Sequence, residues 1–303
     1  MPDAAAQLIG IDWGSTRLRA FLIDGTGAVI ETRASDEGVD RLQREPAFAA
    51  ALHHIVAGWP TLPTLACGVV GARFGWREMP YSPCPAGVAQ VAAGMYQLDA
   101  GLWLVPGVAQ LGEHADVMRG EETQVLGALA EAPEFAERAC FVLPGTHSKW
   151  VEVEGGRIVS IATHQTGELY ALLREHSVLK RLMPERDEVR PEAFKAGIDA
   201  ARENDGRPFT NVLFSVRARH LVDALPAADM ADYLSGLLIG HELVHNLAMR
   251  GDSTAPLILV GDPTLCQRYK RAFAEFGVVP AARLGNTAPR GLWRLALEKG
   301  LIA

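Results

Sequence analysis

Asp12 stands at the end of a short apolar run, Leu8-Ile9-Gly10-Ile11, and a small-residue turn, Gly14-Ser15-Thr16, follows it. A carboxylate at a strand end can hold Mg²⁺ directly or through water, and such a turn offers N–H and O–H donors to phosphate oxygens. A comparable turn, Pro144-Gly145-Thr146-His147-Ser148, follows the apolar run Ala139–Leu143. A third, Gly261-Asp262-Pro263-Thr264, lies between an apolar run and a helical pattern, where a helix N-terminus can face a nucleoside or its phosphates. Taken singly, each is also an ordinary turn that needs glycine and serine. Taken together, they suggest a nucleotide gripped by two equivalent loops. No G-x-x-x-x-G-K-[ST] is present, and no G-x-G-x-x-G follows the first apolar run, so Walker-type and dinucleotide fingerprints are both excluded.

The elements that must position these turns repeat. Leu8–Ile11, Leu18–Ile23 and Ala28–Thr32 read as strands joined by turns, and Ala139–Leu143, Lys149–Glu154 and Arg157–Thr163 repeat that order. Duplicated units of this kind allow two loops to face each other across a cleft. Between them the pattern predicts a helix at Pro46–Trp59, strands at Thr64–Val70 and Leu102–Val105, an irregular stretch from Gly71 to Gly87, and a helix from Glu121 to Ala132. Helices are expected at Leu169–His176, Pro191–Arg202, Val212–Leu225, Met230–Met249, Leu265–Phe276 and Pro289–Lys299, with strands at Leu257–Val260 and Val278–Ala282. This alternation predicts an α/β fold of two domains, 1–136 and 137–303, divided at the acidic, alanine-rich stretch Glu131–Arg138.

Composition narrows the class. An apolar content of 49% over 303 residues suffices for a packed core. The net charge of -7, without a long basic run, argues against nucleic acid and anionic membrane as partners. Met1–Gln7 lacks the basic and apolar regions of a signal peptide, and no apolar stretch reaches transmembrane length. Cys67, Cys84, Cys140 and Cys266 are scattered, as reduced structural thiols in a cytoplasmic protein would be.

The first turn resembles the phosphate loop of the actin, hexokinase and heat-shock chaperone ATPase superfamily. The chain from Leu8 nearly to its end resembles the 2-dehydro-3-deoxygalactonokinase family. The residues that carry this are Ile11-Asp12-Trp13-Gly14-Ser15-Thr16, Gly68-Val69-Val70-Gly71 with Gly75-Trp76, and Met118-Arg119-Gly120-Glu121-Glu122-Thr123-Gln124. Pro144-Gly145-Thr146-His147-Ser148-Lys149-Trp150, Thr166-Gly167-Glu168-Leu169 and Leu234-Ser235-Gly236-Leu237-Leu238-Ile239-Gly240 continue it. The resemblance implies a two-domain actin-like (ribonuclease H-like) fold with duplicated mixed sheets and an active site in the interdomain cleft. It implies ATP- and Mg²⁺-dependent phosphorylation of the terminal hydroxyl of a six-carbon 2-keto-3-deoxy acid in galactonate breakdown.

Residue by residue, the resemblance implies Asp12 as the metal anchor, and Gly14, Ser15, Thr16, Arg17, Gly145, Thr146, His147, Ser148, Lys149 and Gly261 on the nucleotide. Glu121 or Glu122 would accept the proton of the acceptor alcohol. Adjacent helical residues point about 100° apart, so one of the two is expected to face the substrate, and Glu121 is preferred. Arg119, with Arg73 second, would pair with the substrate carboxylate; Trp76 and Thr166 complete the acceptor side. The second loop differs from the wider superfamily in carrying no acidic residue, so no metal ligand or base comes from it.

One motif competes. His241-Glu242-Leu243-Val244-His245 matches the zinc-protease pattern H-E-x-x-H on an expected helix. No third ligand follows at a suitable place, and Glu275 lies on another helix beyond a strand, so the pair reads as a partly exposed helical face. Two other functions stay open: a kinase for another sugar or sugar acid, and a superfamily ATPase acting as sensor or activator. Oligomeric state is open as well, a homodimer included.

Overall fold

The computed structural model describes residues 5–42, 45–99, 101–184, 188–204, 206–251 and 253–303. Met1 to Ala4, at the head of the N-terminal segment considered above, lie outside the described residues. In chain order the elements are β1 (Ala6–Trp13), β2 (Leu18–Asp24), β3 (Val29–Ser35), α1 (Glu45–Ile55), β4 (Thr64–Gly68), β5 (Tyr81–Pro83), α2 (Val88–Ala93), β6 (Tyr96–Asp99), β7 (Leu102–Leu104), β8 (Gly107–Gln110), β9 (Asp116–Met118) and α3 (Glu121–Glu131). Then follow β10 (Arg138–Leu143), β11 (Ser148–Glu154), β12 (Arg157–His164), α4 (Thr166–His176), α5 (Pro191–Glu203), α6 (Phe209–Leu221), α7 (Met230–Arg250), β13 (Leu257–Val260), α8 (Pro263–Glu275), β14 (Ala282–Leu284) and α9 (Ala288–Lys299).

The expected duplication is present as strand order. One sheet runs β3-β2-β1-β4-β7-β6 and another β12-β11-β10-β13-β14, so each places its third, second and first strands in sequence before the next element joins. In the first sheet β1 is antiparallel to β2 and parallel to β4. Central β1 is apolar because it is covered on both faces: Leu8, Ile11 and Trp13 are fully buried.

The chain divides into two compact units, 1–141 with 149–162 and 284–303, and 142–148 with 163–283. In the first, α9 packs on α3 at backbone distance. A Cβ on Gly127 would strike the Thr287 carbonyl, and one on Gly291 would strike the Thr123 carbonyl. The Thr287 hydroxyl also donates to the Gln124 carbonyl at 2.6 Å. In the second unit, α7 and α5 approach through Gly236 and Gly197, each set against the other helix's backbone. The segment Leu234–Gly240 is therefore a buried packing face.

Several local expectations change. The stretch from Gly71 to Gly87 is not wholly irregular, because Tyr81–Pro83 pairs in parallel with β8, which pairs with β9. These short strands lack the alternation that marks longer ones. The strand expected at Val278–Ala282 begins only at Ala282. Gly277 takes φ +68° and the Val278 N–H returns to the Phe273 carbonyl, so the intervening residues form the turn that leaves α8, and Val279 is 82% exposed. The strand expected at Thr64–Val70 stops at Gly68, whose φ of +94° turns the chain. Among the described residues no helix is long and apolar enough to cross a membrane.

Gly291→Ala is expected to destabilise the protein by about 1–3 kcal/mol or more, because the added methyl must part α9 from α3. Urea unfolding measures this, and an unchanged midpoint would mean the two helices do not meet at these glycines.

Candidate active site

Three backbone segments converge in the first unit. Trp13 at the end of β1 lies beside Gly68 at the end of β4, where a Cβ would come 2.7 Å from the Trp13 carbonyl. Gly120, at φ +109°, precedes α3, and a Cβ there would come 3.2 Å from the Gly68 Cα. Only glycine combines that backbone conformation with that approach. The first turn is pinned from behind: the Val39 and Asp40 N–H groups donate to the Gly14 and Ser15 carbonyls, and the Trp13 indole donates to the Glu37 carbonyl. Ser15 is left half-buried, and Thr16 and Arg17 exposed.

The convergence brings acids together. Asp12 lies opposite Cys67 across β1 and β4. Burial raises the Asp12 carboxyl above its ordinary value, and the Arg19 guanidinium, 3.3 Å away, pulls it partly back. Arg19 faces Asp12 across the hairpin, a partner that sequence reading did not name although the turn length fixes this register. Glu122 is fully buried, accepts from the Gly120 N–H at 2.7 Å and from the Thr123 hydroxyl at 2.8 Å, and is pushed up to about 7 by burial and then by the Glu121 charge. Burial, followed by the charges of Asp12 and Glu122, drives the Cys67 thiol far above the usual range. Two acids and a thiol thus share one buried environment, with the Arg19 guanidinium as the cation on Asp12. Among the described residues no group of three or more His, Cys, Asp or Glu could hold a metal ion by itself. The oxygen donors of Asp12 suit Mg²⁺, which commonly takes one or two carboxylates and completes its shell with phosphate and water.

Arg119 is held beside this point. Its Nη2 donates to the Met79 carbonyl at 2.8 Å and its guanidinium lies 4.3 Å from the Tyr81 ring centroid. Its Nε and Nη1 are buried and have no hydrogen-bond partner. Gly107 admits the Tyr81 ring, since a Cβ there would collide with it. Glu121 is half-buried, and its Oε2 accepts from the Arg119 N–H at 3.1 Å. Arg73, by contrast, is 87% exposed and pairs with Glu78. Trp76 stacks on Phe48 and meets Trp13 edge-on, so its ring is a packing residue, although its indole N–H is buried without a partner. Lys149 is buried and donates to the Val117 carbonyl at 2.8 Å, tying β11 to β9.

In the second unit the loop after β10 is braced by α4. The Glu168 N–H donates to the Thr146 carbonyl at 2.9 Å, the Glu168 carboxylate meets His147 at 2.9 Å, and Gly167 lies against the Gly145 carbonyl. Thr146 and His147 are exposed. Ser148 and Thr166 are buried and both donate their hydroxyls to Glu242. Gly261 takes φ +128° close to the Pro144 carbonyl, and Asp262 caps α8 through the Leu265 N–H at 2.9 Å. A cavity of about 170 Å³ opens beside the loop, lined by Gly145, Gly167, Leu238, Ile239, Leu265 and Arg268 among others. Arg268 is fixed there by Asp232 and by the Ser235 hydroxyl.

The comparisons agree on class and family. At 13% identity and a TM-score of 0.52, the chain shares its fold with component A of the (R)-2-hydroxyglutaryl-CoA dehydratase of Acidaminococcus fermentans, covering 98% of this chain and 99% of that one. The fold is that of the actin-like ATPases. The profile of the family described as 2-keto-3-deoxy-galactonokinase matches residues 12–295, and the chain belongs to that family. It is 36% identical over 286 residues to the 2-dehydro-3-deoxygalactonokinase of Escherichia coli strain K12, covering 93% of this chain and 94% of that protein. A crystal structure from Sinorhizobium meliloti bearing the same designation matches with a TM-score of 0.85 and 35% identity, covering 96% of this chain and 97% of that one.

The Glu122 environment sets a pH dependence. Its carboxyl ordinarily titrates at 4.5 and is near 7 in the folded protein. Between those values the unfolded chain has lost a proton that the folded chain retains, so stability falls as pH rises and stays lowered above pH 7. In metal- and nucleotide-free protein, Glu122→Gln should therefore gain roughly 2–3 kcal/mol relative to wild type on going from pH 5 to pH 8. Urea unfolding at the two pH values checks this; parallel pH profiles would contradict it.

Proposed function

We propose that the chain transfers the γ-phosphoryl group of ATP to the terminal (6-) hydroxyl of 2-dehydro-3-deoxy-D-galactonate, a step of galactonate breakdown. Beside the family membership, the observation that carries this reading is Arg119. A guanidinium held by a carbonyl and an aromatic face, with two buried nitrogens unpartnered, is a prepared site for a carboxylate. The acid group of the substrate would bind there, at the entrance to α3.

The other roles follow from access and charge. Glu122 is enclosed, with both oxygens accepting hydrogen bonds, so the proton of the acceptor alcohol is assigned to Glu121, the more accessible of the two. Glu122 then keeps the Gly120 turn in shape. Asp12 would hold Mg²⁺, which supplies charge neutralisation on the phosphates when bound with ATP. The N–H groups of Ser15–Arg17 and of Gly145–His147 are assigned to phosphate oxygens, with Thr16 and Thr146 adding exposed hydroxyls; the Gly14 N–H is taken by the Arg17 carbonyl at 2.9 Å. The cavity beside Gly145 is assigned to the nucleoside, and its size suits a planar base better than a whole nucleotide. Arg73, at the surface, is assigned no contact. The four cysteines, none of them in a disulfide, support a cytoplasmic setting.

A coupled ADP-release assay over keto-deoxy acids, aldoses and no acceptor is expected to give turnover with the keto-deoxy acid alone. Release without acceptor would favour an ATPase, and release with an aldose a different sugar kinase. Glu121→Gln should lower kcat by about a hundredfold or more with ATP still bound. If Glu122→Gln does so instead, the proton goes to Glu122. Arg119→Ala should raise KM for the acid sugar at least about tenfold, the scale of a lost charge-assisted pair, and leave KM for ATP unchanged. An unchanged KM for the acid sugar would remove the carboxylate from this site.

A further inference from the structure

The H-E-x-x-H segment of α7 does not form a metal site. His241 is exposed and packs on Phe209, with ring centroids 4.5 Å apart. His245 is exposed on the next turn, its ring 6.3 Å from that of His164. Glu242 between them points the other way and is 2% exposed. There its carboxylate collects three hydroxyls from three different elements. Oε1 accepts from Ser148 at 2.8 Å, and Oε2 accepts from Thr166 at 2.5 Å and from Tyr269 at 2.8 Å.

We infer that Glu242 is the positioning residue of the nucleotide side, fixing the Gly145–His147 loop, the first turn of α4 and α8 in one arrangement. An ionised carboxylate only accepts, so each of the three O–H bonds must aim at it. Ser148 thereby spends its single donor inward and cannot donate to a phosphate; loop donation falls to the backbone N–H groups and to Thr146. Thr166 opens α4, whose next residues press on the loop through Gly167 against the Gly145 carbonyl and through the Glu168 N–H on Thr146. Tyr269 and Thr166 also line the 170 Å³ cavity assigned to the nucleoside. The two oxygens of Glu242 thus set the loop on one side and the cavity wall on the other, while touching no ligand themselves. Burial and the neighbouring Glu242 charge drive the Tyr269 phenol far above its usual range, so it stays a donor. This inference rests on the assignment of ATP to that loop and cavity.

The test is Glu242→Gln, which keeps the volume but replaces one acceptor by a donor, so at least one hydroxyl must turn away. ATP titration calorimetry on the full chain, with steady-state kinetics, should show the Kd and KM for ATP raised about tenfold or more, with KM for the acid sugar within about twofold of wild type. Tyr269→Phe removes one donor without reversing any, and should raise the ATP KM by a smaller factor; it serves if Glu242→Gln does not fold. In the double variant the two effects should be less than additive, because both act through one carboxylate. A lowered melting temperature with unchanged ATP affinity in both variants would make the network merely structural and overturn the inference. Failure of wild type to bind ATP would instead overturn the nucleotide assignment, and this inference with it. Stoichiometric zinc in protein purified without added metal, lost in Glu242→Gln, would also overturn it.

Discussion

The structure turns on a backbone contact between glycines. Gly68 and Gly120 both adopt left-handed conformations and stack with the end of β1, so the N-terminus of α3 can reach the strand that carries Asp12. A methyl group at either position would separate them. Through this contact two acids share a buried environment with Cys67, and the cost of burying them appears as raised carboxyl values for Asp12 and Glu122. Folding holds that cost in place because α9 clamps α3 from behind through Gly127, Gly291 and Thr287. Buried carboxyls of this kind are disfavoured in their charged form unless a cation joins them, which is the condition the proposed Mg²⁺ at Asp12 would meet.

The second unit follows a different principle. Its loop carries no acid, and its buried carboxylate is solvated by three hydroxyl donors. Glu242 gathers its donors from β11, α4 and α8, so a single side chain orders three elements. A network with every member satisfied rigidifies its surroundings, whereas one lost partner leaves a buried charge exposed to the full desolvation penalty.

Much of this was legible in the chain. The repeated strand-turn-strand pattern foretold the matching strand orders of the two sheets, because period-two alternation and turn chemistry are local properties. The short strands β5, β8 and β9 were not legible, since three or four residues carry no reliable period and their pairing partners are distant in sequence. Trp76, placed on the acceptor side from the sequence, packs its ring with Trp13 and Phe48, partners tens of positions away that a loop pattern does not name. The H-E-x-x-H pair read from the sequence as a partly exposed helical face, and both histidines are exposed; helical spacing could not tell that the glutamate between them is buried, because that is set by what packs there.

The sequence alone determined the residue types at each turn, the duplication, the family and the pairing of an arginine with two glutamates at a helix start. These depend on chemistry within a few residues of one another. Tertiary structure decided which of those groups remain available. It left two nitrogens of Arg119 unpartnered and buried Glu122 more deeply than Glu121. It also committed the Ser148 and Thr166 hydroxyls to Glu242 and the Lys149 ammonium to a carbonyl. Availability is a matter of burial and of partners contributed by residues tens of positions away, and only the packed chain specifies those.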